Sequence, residues 1–406
     1  MKILMVVAYF PPEIGSAAHV YSDLARAFIK RGHDVDIITS YPREYNLNNA
    51  DRSKEFPLEE TMDGISVHRV KHPHTRDNII IRGLEHFLLP GYYFKKYRQL
   101  QKKFDVCLFY IPPLPLYYLA KKIKRHDGTS SVLNFQDFHP QELTDVGVLK
   151  NPVMIKILER IERDTYKNAD YITVLSHGGV DYIEKRGGNH EKISHVYNGL
   201  LLSDHEKNFS QHTFKKKEGI ENKFLISYAG ILSPFQGMDN ILDAAGQLLD
   251  NPDVIFYIVG DGMIKDRLAQ RINNENLTNV KLMPLQPRDE YYNIINSSDI
   301  NLISLDERMK APCVPGKTIN LFASGRPVIA IVAGDSETAY VMDLIDKDLV
   351  IQPGDISALK NIILRLKNDC SLKTKVSMAQ RHFFEETMSL EGNVIAYESI
   401  FEKLIS

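Results

Sequence analysis

Short apolar runs alternate with helical patterns along the whole chain, and this arrangement begins twice. Residues 2–8 form an apolar run that is followed by the small residues Gly15 and Ser16 and by a helical pattern over 20–31. Residues 224–229 form a second run, followed by Gly230 and a polar loop to Gly237. A buried strand, a glycine turn and a helix open a Rossmann-like sheet. The pattern therefore predicts an α/β protein with two Rossmann-like domains that face each other across a cleft.

Further apolar runs extend both predicted sheets, and helical patterns separate them, which indicates parallel strands with right-handed crossovers. We predict an N-terminal domain over residues 1–200, a C-terminal domain over 201–387, a hinge near 197–224, and a last helix over about 388–406 that packs back on the first domain. The additional strands are expected at 35–39, 67–70, 106–110, 131–135, 171–175, 193–196, 254–259, 280–283, 300–305, 328–332 and 349–351.

The composition is that of a soluble globular protein, because 43% of the 406 residues are apolar and 25% are charged. No apolar run reaches the roughly 18 residues that a membrane-spanning helix needs. Tyr9, Pro11 and Pro12 interrupt the first run too early for a signal peptide, so we expect a cytoplasmic protein. Three isolated cysteines form neither a disulfide framework nor a zinc motif, and we expect no metal.

The net charge of −2 combines a slightly basic first half with a slightly acidic second half. This distribution argues against a general nucleic-acid binder and is compatible with a first domain that meets an anionic surface or substrate.

The loop at Gly15 and Ser16 lies where ligands bind in an open parallel sheet, beyond the carboxyl end of a strand. Its small residues let the backbone approach a ligand, and the following helix offers free N–H groups. A tight strand–helix turn is an equally good interpretation. The loop lacks the G-x-G-x-x-G motif, so no dinucleotide cofactor is indicated.

The segment 310–328 carries the sharpest chemical signal. Pro315, Gly316, Lys317 and Thr318 open a predicted helix directly after the strand at 300–305 and its loop. Helix amides and the ammonium of Lys317 would hold a diphosphate, and Thr318 would add a hydroxyl group. A nucleoside-triphosphatase motif would need glycine at position 311, which is alanine. A helix start with a solvated lysine is the structural alternative.

The chain resembles family 4 glycosyltransferases of the GT-B architecture, a retaining and metal-independent class. Among them it is most similar to transferases that build bacterial surface polysaccharides from nucleotide-linked amino or deoxy sugars. The stretches that carry the resemblance cover nearly the whole chain in the family's order: 1–12 with Gly15 and Ser16, 31–35, 197–199, 228–230, 259–262, 298–299 and 315–328.

The resemblance implies a sugar transfer from a nucleoside diphosphate donor, expected to be linked to UDP, to a hydroxyl group of a lipid-linked or polysaccharide acceptor. It implies no cofactor beyond the nucleotide sugar. The expected catalytic residues in the second domain are Lys317 and Asn320. The expected donor-binding residues are Gly15, Ser16, Gly230, Gln236, Gly260, Leu285, Pro315, Gly316 and Thr318.

Several positions depart from the family's pattern. Two glutamates that are usual around the 317 helix correspond to Pro312 and Asn320 here, and Asn320 can still hydrogen-bond a ribose. The usual Arg and Lys after the first strand of the second domain correspond to Ile231 and Gln236. Lys317 is the expected substitute for these charges, with Arg308 or Lys310 in support.

The first domain presents Asp137 at the end of a predicted strand, near the position where the family often has a histidine. Asp137 would orient or deprotonate the acceptor hydroxyl, and a turn-forming aspartate before Pro140 is an equally good interpretation. His139 and His19 are the further acceptor-side residues that we predict.

Residues 79–104 mix aromatic, aliphatic and basic side chains in the manner of a membrane interface, broken into two pieces at Pro90 and Gly91. An amphipathic helix packed on the first sheet is the alternative.

Two other functions also stay open. An epimerase of the same architecture would need cleft carboxylates, of which the second domain offers Asp261 and Asp306. A non-catalytic nucleotide-sugar-binding protein would explain Pro312 and Asn320.

Overall fold

The chain folds into two compact units in a computed structural model, which describes residues 1–47, 51–73, 79–200, 213–309, 311–312 and 314–405. The first unit comprises Met1–Thr144, Leu149–Leu200 and Leu390–Ser406, and the second comprises Asp145–Val148 and Leu201–Ser389. Part of the predicted hinge, residues 201–212, lies outside the described residues. In the described ranges, no helix combines the length and the apolar character needed to cross a membrane.

The first unit is built on an eight-stranded sheet with the order β3-β4-β2-β1-β5-β6-β7-β8. Strands β1, β2 and β4 follow one another outward on one side, with β3 at the edge, and β5 to β8 follow one another on the other side. The topological switch point therefore lies between β1 and β5. The strands are β1 Lys2–Val6, β2 Asp34–Ser40, β3 Glu59–Met62, β4 Ile65–Val70, β5 Val106–Ile111, β6 Ser130–Phe135, β7 Tyr171–Val174 and β8 Ile193–His195.

Strand β3 is antiparallel to β4, which the sequence did not indicate because its residues are mostly polar and it lies at the sheet edge. Asp63 and Gly64 have φ angles of 51° and 84° and join the two strands as a two-residue turn. Both central residues of a type I′ hairpin turn need positive φ, and Asp-Gly is a preferred pair for it.

Helices cover the faces of the first sheet. Their bounds are α1 Ser16–Lys30, α2 Ile79–Leu100, α3 Tyr117–Asp127, α4 Gln141–Asp145, α5 Pro152–Asn168, α6 His177–Glu184 and α15 Leu390–Ile405. Helix α15 belongs to the first unit, where its Asn393 donates a hydrogen bond to the carbonyl of Tyr197. A side chain at Gly199 would come within 2.6 Å of the Leu390 backbone, so only glycine allows this close approach.

The predicted break at Pro90 is wrong, because α2 continues through it as one helix. Leu89, Tyr93 and Tyr97 are buried on one side of α2. Burying three large side chains contributes about 1.5–3 kcal/mol each, which exceeds the roughly 3 kcal/mol that an internal proline costs. Packing therefore overrides the local signal.

The second unit is built on a six-stranded parallel sheet with the order β11-β10-β9-β12-β13-β14, whose switch point lies between β9 and β12. The strands are β9 Phe224–Ala229, β10 Val254–Val259, β11 Val280–Met283, β12 Ile300–Ser304, β13 Val328–Ile331 and β14 Val350–Ile351. The helices are α7 Phe214–Lys217, α8 Asp239–Gln247, α9 Lys265–Asn274, α10 Arg288–Ser297, α11 Lys317–Ala323, α12 Glu337–Asp343, α13 Ile356–Asn368 and α14 Cys370–Thr387. The prediction of two Rossmann-like α/β domains is confirmed.

Candidate active site

Glycines at the carboxyl edge of the second sheet bring two loops into direct contact. A side chain at Gly260, which follows β10, would overlap the carbonyl oxygen of Gly230, which follows β9. Gly262 has a φ of 152°, and a side chain there would overlap the carbonyl of Leu232. Only glycine fits such positions. These glycines therefore leave the edge of the sheet free of side chains at positions beside its switch point.

Lys317 begins α11 and places its ammonium group at this switch point. Its Nζ atom lies 3.3 Å from Oε1 of Gln236 and 3.7 Å from the centre of the Tyr228 ring. A side chain at Gly230 would come within 2.8 Å of the same Nζ atom. The strand ends, the glycine turn and the lysine are therefore parts of one small site.

Among the residues that the structure describes, no negative charge pairs with the positive charge of Lys317. Burial lowers the pKa of Lys317 to about 7, and within the described part of the chain no carboxylate forms an ion pair with it. The predicted support from Arg308 is directed elsewhere, because its guanidinium group binds Asp306 at 2.7 Å and 2.8 Å. Lys310 lies outside the described residues. A half-buried cation without an acidic partner among the described residues favours an anionic ligand.

Tyr228 holds Gln236 in place, and its role was missed in the sequence. Its single hydroxyl proton is shared between two acceptors, Oε1 of Gln236 at 2.8 Å and the carbonyl of Ile231 at 3.0 Å. Burial raises the pKa of Tyr228, so the hydroxyl stays protonated and remains a donor. The signal that the sequence offered was this tyrosine itself, which lies near the end of a fully buried strand and two residues before the glycine turn.

Helix α11 has only seven residues, and Thr318 lies inside the unit rather than at its surface. The amide of Thr318 donates to the carbonyl of Pro315 at 2.9 Å, so this amide is already used. Gly316 precedes the helix and is exposed, and Pro315 is partly exposed. The expected diphosphate contact therefore depends on the Lys317 side chain more than on the helix amides.

Asn320 lies one turn after Lys317 and keeps one acceptor unmatched. Its Oδ1 atom is buried and has no hydrogen-bond partner among the described residues. A buried acceptor without a partner is unusual in a folded protein. A ligand hydroxyl group would satisfy it, and the contact of Asn320 with a ribose stays a prediction.

Three large apolar side chains are exposed on loops that follow neighbouring strands of the second sheet. Ile231 follows β9, Met263 follows β10 and Leu285 follows β11, and their exposed fractions are 68%, 76% and 50%. Exposed apolar groups that gather at one edge of a sheet indicate a binding surface. Leu285 is thus placed at the same edge as Gly230 and Gly260.

The switch point of the first sheet carries the other predicted loop. Gly15 is exposed and immediately precedes α1, with an extended backbone at φ 164°. His19 lies in the first turn, where its amide donates to the carbonyl of Gly15 at 3.2 Å. The side chain of Ser16 lies outside the described residues.

Asp137 and His139 follow β6 and interact electrostatically. Burial raises the pKa of Asp137, although the nearby His139 opposes this shift, and burial lowers the pKa of His139. A carboxylate with a raised pKa is a better proton acceptor near neutral pH than an ordinary aspartate. The neighbouring Gln136 is instead engaged with Asn198, through two hydrogen bonds of 2.9 Å and 2.6 Å.

A buried acidic residue, Glu13, was also missed in the sequence. Only 2% of it is exposed, and its Oε1 atom accepts hydrogen bonds from the Arg43 amide at 3.3 Å and from Asn46 at 3.0 Å. Burial raises the pKa of Glu13. The guanidinium group of Arg43 lies 4.3 Å from the centre of the Tyr9 ring. Single charged residues in separate loops carry no spacing signal, so only the fold reveals this cluster.

Comparison with known proteins identifies the family of both units. Residues 15–199 match the model of the glycosyl transferase 4-like domain, and residues 223–369 match the model of glycosyl transferases group 1. The chain is 22% identical over 404 residues to the putative colanic acid biosynthesis glycosyl transferase WcaI of Escherichia coli K12, covering 97% of each chain.

Two further similarities concern the nucleotide and the acceptor of other proteins. The chain is 26% identical over 185 residues, 44% of this chain and 46% of the relative, to an Escherichia coli UDP-Gal:alpha-D-GlcNAc-diphosphoundecaprenol alpha-1,3-galactosyltransferase. The crystal structure of Anabaena Alr3699/HepE in complex with UDP superposes with a TM-score of 0.71 at 17% identity, covering 99% of this chain and 100% of that one. At this identity the structural likeness shows the fold.

Proposed function

Because the chain belongs to the family 4-like glycosyltransferases of the GT-B fold, we propose that it transfers a sugar from a nucleoside diphosphate donor with retention of configuration and without a metal ion. The observation that carries this proposal is the ammonium group of Lys317, which has no acidic partner among the described residues and lies beside Gly230 at the switch point of the second sheet. An anionic diphosphate would supply the missing charge.

The proposed donor is a UDP-linked sugar that carries an N-acetyl or deoxy group. UDP binds to the structural relative from Anabaena, and another relative is named for UDP-Gal. In this chain the unmatched Oδ1 atom of Asn320 would accept a ribose hydroxyl. The exposed side chains of Ile231 and Met263 would contact apolar parts of the donor, such as the methyl of an acetyl or deoxy group.

The proposed mechanism needs no enzyme nucleophile. The bond between the sugar carbon and the diphosphate oxygen breaks while the acceptor hydroxyl attacks from the same face, and a donor phosphate oxygen takes the hydroxyl proton. The negative charge that grows on the diphosphate is stabilised by Lys317, as in other sites where fixed charges lower a barrier. Asp137, with its raised pKa, would accept a hydrogen bond from the hydroxyl group and orient it until the phosphate oxygen takes the proton.

The acceptor is proposed to be lipid-linked, which requires contact with a membrane surface. On α2, Phe87, Leu88 and Tyr92 are exposed large apolar residues. Lys95 and Arg98 follow them on the same helix and are exposed. The side chains at 79–84 lie outside the described residues. Aromatic and basic groups on one helix suit the inner face of an anionic plasma membrane.

Vesicle flotation tests the membrane contact. The full chain should float with vesicles containing a third phosphatidylglycerol and stay behind with pure phosphatidylcholine. L88E/Y92E should abolish flotation, and V153E, the same kind of change at an exposed site on α5, should retain it. Wild-type protein that never floats with the anionic vesicles would contradict the membrane contact.

A ligand panel followed by product analysis tests the function itself. Thermal shifts with nucleoside diphosphates and nucleotide sugars identify the donor, because a ligand that binds only the folded chain raises its stability. The shifted donor is then incubated with lipid-linked and oligosaccharide acceptors. A new glycoside with retained configuration supports the proposal. A donor that changes without acceptor indicates an epimerase, and a donor that binds but never reacts indicates a binding protein.

A further inference from the structure

The ammonium group of Lys317 lies against the face of the Tyr228 ring. Its Nζ atom is 3.7 Å from the ring centre and 3.3 Å from Oε1 of Gln236. Both contacts stabilise the charged form of this half-buried lysine, because the ring face is electronegative and the amide oxygen accepts a hydrogen bond. Neither partner carries a negative charge, so the positive charge is still available to an anionic ligand.

The neighbours of Gln236 also fix the orientation of its side-chain amide. Nζ of Lys317 and the hydroxyl oxygen of Tyr228 lie 3.3 Å and 2.8 Å from the same end of this amide. An ammonium group can only donate hydrogen bonds, so the end that faces Lys317 must be the carbonyl oxygen. The amide nitrogen, Nε2, is therefore directed away from the lysine.

The Nε2 atom of Gln236 is a donor that is left over for a ligand. It donates no hydrogen bond within the part of the chain that the structure describes. It is not enclosed by the protein either, so it can be reached from outside. An open N–H donor whose orientation is fixed suits the oxygen of an anion.

The backbone around Gln236 is fastened to the end of β12 and the loop that follows it. The carbonyl of Phe235 accepts a hydrogen bond from the Asp306 amide at 2.8 Å. The carbonyl of Gly237 accepts one from Oγ of Ser304 at 3.2 Å, and its φ of 51° is one that glycine adopts without strain. Gln236 therefore projects from a turn that is held on both sides.

Gly230 leaves the space that the lysine needs. A side chain at Gly230 would come within 2.8 Å of Nζ of Lys317. The ammonium group can therefore reach the Tyr228 ring only because this turn has no side chain. Ligands bind at such a switch point, beyond the carboxyl ends of parallel strands.

We propose that Tyr228 positions two hydrogen-bond donors for the diphosphate of the donor, the ammonium group of Lys317 and the Nε2 amide of Gln236. This inference rests on the proposed donor site and names the atoms that bind in it. Lys317 and Gln236 contact the diphosphate. Tyr228 acts through them and is a positioning residue, because its ring holds the ammonium group and its hydroxyl group holds the amide oxygen.

Isothermal titration calorimetry of the full chain with UDP tests the role of the tyrosine. Y228L removes both the ring and the hydroxyl group, and the Kd should rise about tenfold. Y228F keeps the ring and should bind within about threefold of the wild type.

A second tyrosine of the same sheet provides the matched control. Tyr257 on β10 is equally buried, and its ring lies 5.3 Å from Nζ of Lys281, outside the proposed site. Y257L also deletes a buried ring, but it should leave the Kd for UDP unchanged. Equal Kd values for Y228L and Y257L would overturn the role of Tyr228.

A double-mutant cycle shows whether Tyr228 acts through Lys317. K317M alone should weaken UDP binding by about tenfold or more. Once the lysine is gone, adding Y228L should change the Kd by no more than about twofold, because the two residues form one interaction. A full tenfold effect of Y228L in both backgrounds would show that the tyrosine acts independently, which contradicts the proposal.

Q236E tests the direction of the amide without changing the size of the side chain. The glutamate keeps the oxygen that accepts from Tyr228 and Lys317, but it replaces Nε2 with a second acceptor. We expect UDP binding to weaken by at least about tenfold. Q247E, the same change at an exposed residue of α8, should match the wild type. Q236E with wild-type affinity would show that Nε2 does not contact the diphosphate.

The two levels of inference fail differently. If neither UDP nor any other nucleoside diphosphate binds the wild type, the proposed donor site is wrong and this inference falls with it. If K317M weakens binding while Y228L and Q236E do not, the donor site stands and only the positioning by Tyr228 is wrong.

Discussion

A half-buried ionisable group lies at the carboxyl edge of each sheet, and the two groups carry opposite charges when ionised. On the second sheet, burial lowers the pKa of Lys317 to about 7. On the first sheet, burial raises the pKa of Asp137, beside a histidine whose own pKa is lowered. Both groups are shifted towards neutrality, so each gains from a ligand that favours its charged form. In the proposed function, the second unit binds the anionic diphosphate and the first unit binds the acceptor hydroxyl.

Removal of the Lys317 ammonium group should cause the largest loss of activity. K317M eliminates the charge opposite the departing diphosphate, and kcat/KM should fall about 10²–10³-fold in a donor-turnover assay. K347M, which removes an exposed lysine from a surface turn of the same unit, serves as the matched control. A loss below threefold in K317M would remove this residue from the site.

Removal of the carboxylate should cost somewhat less. D137N keeps the shape but removes the carboxylate that orients the acceptor hydroxyl, and kcat should fall about 10²-fold. Because the pKa of Asp137 is raised, the wild-type rate should decline as the pH falls through that raised value. D137N should lack this acidic decline, and D181N, at an exposed aspartate, should keep it. Identical pH profiles for D137N and the wild type would show that Asp137 has no acid–base role.

The contact between the loops at Gly230 and Gly260 should contribute to the stability of the fold as well as to ligand binding. G260A forces a methyl group into the carbonyl of Gly230, and the free energy of unfolding should fall by about 1–3 kcal/mol. In the same unit, an added methyl group at Gly246 would meet Leu277 at 3.6 Å, an ordinary contact. G246A should therefore stabilise its helix by about 0.5–1 kcal/mol. Urea denaturation measures both changes, and equal stability of the two variants would contradict the proposed close approach.

A smaller effect, on the free energy of unfolding at low pH, is expected from a histidine of the first unit. Burial, assisted by the charge of His177, lowers the pKa of His195 to about 4. His195 therefore binds a proton less readily in the folded state than in the unfolded state. The free energy of unfolding decreases as the pH falls from near 6.5, the pKa of histidine in the unfolded chain, towards 4. At pH 5.5 the loss should be about 1 kcal/mol. Denaturation at pH 7.5 and 5.5 should show this loss in the wild type and not in H195Q. An equal loss in both proteins would refute the assignment.

The sequence revealed those features of the site that follow from strand order. Gly230, Gly260 and Lys317 come directly after buried strands or their loops, and parallel strands bring such positions to one edge. Tyr228 could not be assigned in the same way, because its role depends on the contacts that its ring and hydroxyl group make with Lys317 and Gln236 in the folded chain. Glu13 and Arg43 lie on separate loops, so only the folded backbone brings them together.

Predictions from local sequence were wrong or incomplete where side-chain packing or a position at the sheet edge determined the secondary structure. Pro90 predicted a helix break, but the buried face formed by Leu89, Tyr93 and Tyr97 keeps α2 continuous. Strand β3 was missed because an exposed edge strand needs little apolar character. The assigned roles of Asn320, Asp137, His19 and His139 remain predictions, since they depend on ligands rather than on the fold.

A crystal structure of the full chain with UDP is the most direct test of the donor site. The account predicts a diphosphate oxygen about 3 Å from Nζ of Lys317, next to Gly230. A diphosphate bound away from Lys317 and Gly230 would contradict it.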